Sequence, residues 1–120
     1  PLVANSTGYI YLDSSSSLDQ WHFAAESITS NRSLIGLTLS PLYQSNDSSH
    51  LFYNDQPPNQ ADSLVHGHSK GVLAFDEVMG KGFWIIHSVP HFPLPVEQGY
   101  LYPDSGLGSF ATTIDDDLFS

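Results

Sequence analysis

The sequence lacks cysteine altogether and contains very few basic residues. Without cysteine, disulfides, iron–sulfur clusters, thiolate zinc sites and cysteine nucleophiles are all excluded. Three lysines and arginines stand against thirteen acidic residues, so the formal charge is −10 and neutral pH disfavours attraction to a phosphate backbone. No apolar run approaches the roughly 18 residues of a membrane span, and no membrane partner is expected.

Charged residues of either sign are also scarce, at 13 % of the chain against about 25 % in typical soluble domains. Serine hydroxyls and amides supply the missing polarity, which favours a secreted or lumenal glycoprotein. Three sequons predict N-glycosylation at Asn5, Asn31 and Asn46. The first residue is a proline with no signal-like stretch after it, so we expect a processed or excised chain.

The first half of the chain gives short and mixed secondary-structure signals. Aromatic and β-branched residues predict a strand over Gly8–Asp13. Leu18–Thr29 is the best candidate for a helix or mixed segment, with apolar residues at helical spacing. Leu34–Leu39 fits a strand and a short buried helix equally well, and Pro41 is expected to end it.

The second half carries the stronger strand signals. Leu51–Tyr53 is predicted to be a strand, and the Asn54–Pro58 segment after it is interpreted as turn chemistry. Gly71–Asp76 and Gly82–Val89 are almost continuously apolar and are predicted to form an antiparallel hairpin through Glu77–Lys81. Such runs indicate a sheet that is covered on both faces. Both tryptophans are expected in the core.

Four of the six histidines, His66, His68, His87 and His91, fall within 26 residues. Their clustering suggests a metal site, but Pro90 interrupts the helical spacing of the second pair. No cysteine and no well-placed carboxylate completes a tetrahedral ligand set. We therefore predict no metal, and structural roles for His66 and His91.

The more specific feature is the H-x-K motif of His68-Ser69-Lys70, which opens the strand at Gly71. Residues i and i+2 of a strand share a face, so His68 and Lys70 are expected side by side at one end of the sheet. An imidazole beside an ammonium suits phosphoryl transfer. The imidazole attacks phosphorus or protonates a leaving oxygen, and the ammonium neutralises non-bridging oxygens.

The motif and its surroundings closely resemble deoxyribonuclease II, the family of lysosomal acid endonucleases. The resemblance extends from about Tyr9 to Pro95 and is carried by four strings: PLYQSN from Pro41, FYNDQPP from Phe52, GHSKGVLAFD from Gly67 and GFWIIHSVPHFP from Gly82. It implies an α/β chain with half of a phospholipase-D-like fold, a β-rich sheet and few helices. Residues 1–120 would form the N-terminal half domain, with residues 1–96 matching well and residues 97–120 a loosely matched tail.

In this family, two related halves each give one H-x-K motif to a shared site, and DNA is cut without a metal or other cofactor. The resemblance implies a phosphohistidine intermediate and ends bearing a 3′-phosphate and a 5′-hydroxyl. His68 would be the nucleophile or the general acid, and Lys70 the phosphate clamp. Phe75 stands where the wider superfamily has an aspartate, with Asp76 one position later. The absence of cysteine also departs from the family, whose members usually carry disulfides.

The chain has a single H-x-K motif, so the resemblance implies a fragment or subunit whose partner is a second copy or a C-terminal half. DNA binding is expected at acidic pH, where protonation of all six histidines would move the charge from −10 to about −4. The expected location is lysosomal or secreted. The alternative is a catalytically inactive glycoprotein of structural function that assembles with itself as a homo-oligomer or a filamentous polymer.

Overall fold

The computed structural model describes residues 7–15, 20–45, 48–62, 65, 67–103 and 112–115. Within these ranges it contains one α-helix, one short 3₁₀ helix and two antiparallel sheets, which confirms the predicted α/β class with few helices. In chain order the elements are β1 (Ile10–Tyr11), β2 (His22–Phe23), α1 (Leu34–Gln44), β3 (Ser49–Asn54), β4 (Lys70–Asp76), β5 (Lys81–His87), the 3₁₀ helix (Val96–Gln98) and β6 (Thr112–Asp115).

The larger sheet has the strand order β3-β4-β5-β6, with every pair antiparallel. Its centre is the predicted hairpin of β4 and β5, which pair from Asp76 opposite Lys81 to Lys70 opposite His87. The turn is stabilised at its start because the Asp76 carboxylate accepts backbone N–H bonds from Val78 (2.9 Å) and Met79 (3.0 Å). This interaction gives Asp76 a structural function at the end of β4 that lies away from Lys70.

The hydrophobic core lies on one face of this sheet. Val72 of β4 and its cross-strand neighbour Ile85 of β5 are fully buried on that face. Alternation along the strands places every second residue there, and α1 packs its apolar side against them. The buried apolar residues of this cluster are Ile35, Leu39, Leu42, Val72, Ala74, Ile85, Val89, Phe92 and Tyr102.

The opposite face of the sheet is also apolar but is only partly covered. Leu51 is 59 % exposed and Ile86 is 45 % exposed, while Tyr53 and Trp84 are half-buried and joined by a 2.9 Å hydrogen bond from the indole N–H to the phenol oxygen. The expectation of a sheet covered on both faces is therefore not met by the described residues. The near-continuous apolar pattern correctly predicted that both faces of the sheet are apolar. It did not predict which residues cover the second face.

Helix α1 resolves the ambiguity at Leu34–Leu39 in favour of a helix, and the expectation that Pro41 ends it is wrong. The buried Ser33 caps the helix by accepting a 3.0 Å hydrogen bond from the backbone N–H of Gly36. Pro41 lies inside the helix, on its exposed side, and the helix continues to Gln44. Because Leu42 of the last turn is fully buried, its packing compensates for the hydrogen bond that proline cannot donate.

Of the two alternatives for Leu18–Thr29, a helix or a mixed segment, the helix is absent from the described residues 20–29, where β2 pairs with β1. The hydroxyls of Ser27 and Ser30 accept bonds from the backbone N–H groups of Thr29 (3.2 Å) and Arg32 (3.1 Å). These local bonds compete with helical ones. Trp21, expected in the core, is 63 % exposed, so the apolar spacing did not mark a buried face.

Gly71 lies at a point of close backbone approach beside Lys70. A Cβ atom there would overlap the Tyr53 hydroxyl and the Ile85 carbonyl oxygen. We expect Gly71→Ala to lower the free energy of unfolding by about 1–3 kcal/mol through overpacking, measured by urea denaturation. Gly67→Ala is the matched control, because a Cβ at Gly67 meets nothing within 4 Å. Equal effects of the two substitutions would contradict this account of the strand start.

Candidate functional site

The candidate site lies at one end of the large sheet, where three strands are in register. Asn54, the last residue of β3, pairs with Lys70, the first residue of β4, and Lys70 pairs in turn with His87, the last residue of β5. Asp55 follows β3 directly and His68 comes two residues before β4. The antiparallel register therefore brings together five polar residues that are spread over 34 positions of sequence.

The Asp55 carboxylate is the centre of this group. Its Oδ1 accepts a 2.6 Å hydrogen bond from Nζ of Lys70, and its Oδ2 lies 2.7 Å from Nδ1 of His68. The side chains of Asp55 and Lys70 are 2 % and 5 % exposed, whereas that of His68 is 85 % exposed. The site is thus a buried ion pair, with a solvent-exposed imidazole in close contact with the second carboxylate oxygen.

The turn that holds Asp55 is fixed by backbone contacts on both sides. The Asn54 side chain donates to the carbonyl of Phe92 (2.8 Å) and accepts from the backbone N–H of Gln56 (2.7 Å). The backbone N–H of His91 donates to the carbonyl of Gln56 (2.9 Å). The carboxylate is therefore held between the end of β3 and the loop after β5, with little freedom to turn away.

The electrostatics of the site favour an ionised Asp55. The hydrogen bond from Lys70 lowers the pKa of the Asp55 carboxyl, and the charge of Lys70 and the contact with His68 act in the same direction against the opposing effect of burial. The carboxylate therefore stays negative in acid that protonates ordinary aspartates. An acceptor of this kind can hold a protonated His68 ring and the Lys70 ammonium together.

His87 is a second buried histidine beside Lys70. Its Nδ1 accepts a 3.1 Å hydrogen bond from the backbone N–H of Val89, and its ring meets Phe92 edge-on at 5.6 Å. Burial, with a further contribution from the Lys70 charge, lowers the pKa of His87 to about 4. At pH 5 the His87 ring is therefore mainly neutral, which corrects the expectation that all six histidines gain a charge there.

This arrangement leaves one imidazole nitrogen of His68 free for chemistry. With Nδ1 turned to the Asp55 carboxylate, Nε2 carries the available lone pair when the ring is neutral and an acidic proton when the ring is charged. In many sites where histidine acts as a base, nucleophile or acid, a carboxylate orients the imidazole in this way. The group can therefore attack an electrophilic centre or protonate a leaving oxygen.

The structure places the two predicted catalytic residues together, although not by the expected route. His68 lies outside β4, so strand alternation does not align it with Lys70, and their shared contact is Asp55. The sequence analysis assigned Asp55 to a turn and so did not predict this contact. It considered His87 only as a possible metal ligand. No sequence signal pairs Asp55 with residues 13 and 15 positions away, beyond its being a carboxylate just after a predicted strand.

The other predicted sites have separate outcomes. Asn31 is exposed in the turn before α1, while Ser33 of its sequon is the buried helix cap. Asn5, Asn46 and His66 lie outside the described residues.

In the part of the chain that is described, no group of three or more histidine, aspartate or glutamate side chains could hold a metal ion. No helix there is long and apolar enough to cross a membrane.

A groove of about 430 Å³ runs beside the site. Residues of β3, among them Phe52 and Asn54, line one wall, and proline rings line much of the rest, including Pro57, Pro58 and Pro93. Asn54 joins the groove to the turn that carries Asp55, and the lining mixes these apolar residues with the polar His50, Gln60 and Glu97.

Comparison of the sequence with known proteins identifies a matching family. A family model described as deoxyribonuclease II matches residues 2–113. Deoxyribonuclease-2-alpha of Mus musculus is 45 % identical over 101 residues, covering 79 % of the chain and 28 % of that protein. Deoxyribonuclease-2-beta of Rattus norvegicus is 44 % identical over 103 residues, with 82 % and 28 % covered. Plancitoxin-1 of Acanthaster planci is 36 % identical over 110 residues, with 88 % and 30 % covered. The chain thus spans less than a third of the length of these relatives.

The buried His87 predicts a specific loss of stability in mild acid. The unfolded chain protonates this ring near its ordinary pKa of 6.5, whereas the folded chain does so only near pH 4. Proton uptake therefore favours the unfolded state as the pH falls from 6.5 to 4. We expect His87→Asn, which keeps an acceptor for the Val89 N–H, to reduce the stability lost between pH 7 and pH 4.5 in urea titrations.

The matched control is His50→Asn, which removes an exposed imidazole from the neighbouring edge strand β3. If the loss of stability in acid is the same in the His87→Asn variant as in the unchanged protein, buried His87 is not its source.

Proposed function

The chain belongs to the deoxyribonuclease II family, and on that premise we propose that it supplies the His68–Lys70 half of an acid endodeoxyribonuclease active site. The observation that supports this function best is the buried Asp55 carboxylate, which lies 2.7 Å from His68 and 2.6 Å from Lys70. The substrate is DNA, whose phosphodiester offers both the electrophilic phosphorus and the charged oxygens that such a pair would engage.

The proposed reaction needs two imidazoles of opposite protonation state and no metal or other cofactor. Nε2 of the neutral ring attacks phosphorus, the bond to the 5′-oxygen breaks, and the protonated ring gives its proton to that oxygen. Water, deprotonated by the second ring, then cleaves the phosphorus–nitrogen bond and leaves a 3′-phosphate and a 5′-hydroxyl. His68 takes one of these two functions and the histidine of the second half takes the other.

Lys70 would stabilise the charge on the non-bridging oxygens during both steps. Its ammonium has three N–H donors and the Asp55 contact uses one of them. Since its side chain is only 5 % exposed, the positive charge acts from a buried position beside the Asp55 carboxylate. A charge held in a buried position is less screened by water than one on the surface, which favours this function.

The second H-x-K motif must come from outside these 120 residues, because the sequence contains only one. A C-terminal half or a second copy of the chain could supply it. The uncovered apolar face of the sheet, with Leu51 and Ile86 exposed, offers a surface for such a partner. We also propose acidic working conditions, a lysosomal or secreted location, and glycosylation at Asn5, Asn31 and Asn46.

A chimera tests the proposed nuclease. The chain replaces the matching segment of mouse deoxyribonuclease-2-alpha, to which it is 45 % identical. We expect the chimera to nick supercoiled DNA at pH 5 in EDTA, and His68→Ala to reduce the rate by at least about 10²-fold through loss of the acid, base or nucleophile. Mass spectrometry of acid-sensitive phosphohistidine after rapid quenching would show whether His68 is the nucleophile.

The control for this assay is His50→Ala, an exposed histidine of β3 that does not contact Asp55. It is expected to retain full activity. A folded chimera that is inactive, nicking that survives His68→Ala, or nicking that depends on a divalent metal would each refute the proposed mechanism.

The partly uncovered sheet face also favours the second function, a catalytically inactive protein that assembles with itself. Edge strands and exposed apolar faces promote open-ended association. Under the nuclease proposal we expect the isolated chain to be a monomer or a defined dimer in light scattering and sedimentation. An open-ended polymer without nuclease activity in the chimera would support the structural function instead.

A further inference from the structure

We propose that Asp55 is the positioning residue of this site, and that its one carboxylate sets both the tautomer and the direction of the His68 ring while it anchors Lys70. The inference rests on the proposed function, because it concerns how His68 is prepared for phosphoryl transfer. It assigns a function to a residue outside the H-x-K motif, on a different strand end.

The first argument is the contrast in exposure. The His68 side chain is 85 % exposed and sits in a loop, so the surrounding protein packs around it very little. Among the described residues, Asp55 is the one that contacts a ring nitrogen of His68. Without that contact, rotation about the side-chain bonds would carry the ring freely through solvent.

The second argument is the rigidity of the carboxylate itself. Asp55 is buried, and its turn is fixed through Asn54, whose side chain bonds to Phe92 and Gln56. Oδ1 is already engaged by Lys70, and Oδ2 lies 2.7 Å from Nδ1 of the imidazole with no other partner in the described part of the chain. The ring therefore contacts a buried carboxylate whose turn is held by hydrogen bonds.

The third argument is chemical. An ionised carboxylate only accepts hydrogen bonds, so the neighbouring Nδ1 of His68 must carry a proton. A neutral imidazole in water prefers the proton on Nε2, and Asp55 reverses that preference. The reversal places the free lone pair on Nε2, the nitrogen that faces solvent and the incoming phosphate.

The direct test reads the tautomer by NMR and needs no activity. In the unchanged chain, long-range ¹H–¹⁵N spectra of the neutral His68 ring should show the Nδ1–H form. In Asp55→Asn the amide oxygen can still accept from Lys70, so its NH₂ group faces His68 and requires Nδ1 to accept. We therefore expect the signal of His68 to change to the Nε2–H form in this variant.

The matched control is Asp62→Asn, which alters an exposed aspartate whose oxygen lies 3.7 Å from Nε2 of His91. This substitution should leave the His68 tautomer unchanged. A His68 signal in the Nε2–H form in the unchanged chain would overturn the proposal even if Asp55→Asn failed to fold. An unchanged tautomer in folded Asp55→Asn would overturn it as well.

Kinetics of the chimera supply the functional readout. We expect Asp55→Asn to lower kcat by about 10²-fold to 10⁴-fold with KM changed much less, because substrate still binds while the reactive nitrogen is protonated. A kcat equal to that of the unchanged chimera would overturn the positioning function. If the chimera is inactive without any substitution, the proposed nuclease fails, and the NMR result still decides the geometry.

Discussion

The contact between the Asp55 carboxylate and the Lys70 ammonium is the interaction on which this end of the molecule depends. Each group is almost wholly removed from water, and a buried charge is tolerated only when it is paired and hydrogen-bonded. Neither residue can therefore move alone. The pair joins the residue that follows β3 to the first residue of β4, and the second oxygen of Asp55 lies 2.7 Å from Nδ1 of His68. Structural and chemical functions thus rest on the same two side chains.

The core and the candidate site are continuous along one face of the sheet. Along β4, Lys70 shares this face with Val72 and Ala74, and along β5 His87 shares it with Ile85. The alternation that turns apolar side chains of β4 and β5 toward α1 also turns Lys70 and His87, at the ends of these strands, to the same face. Close packing of the core fixes the register of these strands. The positions of the polar residues at the strand ends are therefore fixed by the same packing.

The parts of this fold that were predictable from sequence depend on local patterns. The β4–β5 hairpin follows from two apolar runs and a turn that contains Gly80, and the H-x-K motif opens the first run. Asp55 was not predictable, because its function depends on the pairing register of β3 with β4 across a connection of 15 residues. The helix also required tertiary information, since the burial of Leu42 outweighs the proline before it.

The proposed acid nuclease function has to be reconciled with a chain whose formal charge is −10. Protonation of histidines in mild acid can offset part of that charge, but His87, with a pKa of about 4, contributes little at pH 5. The charge at pH 5 therefore stays more negative than the −4 expected if all six rings were protonated. Asp55 also stays negative, because Lys70 lowers its pKa. Under the proposed function, attraction to DNA would therefore have to come from the local pair of His68 and Lys70 and from the proposed partner half, and not from the net charge of this chain.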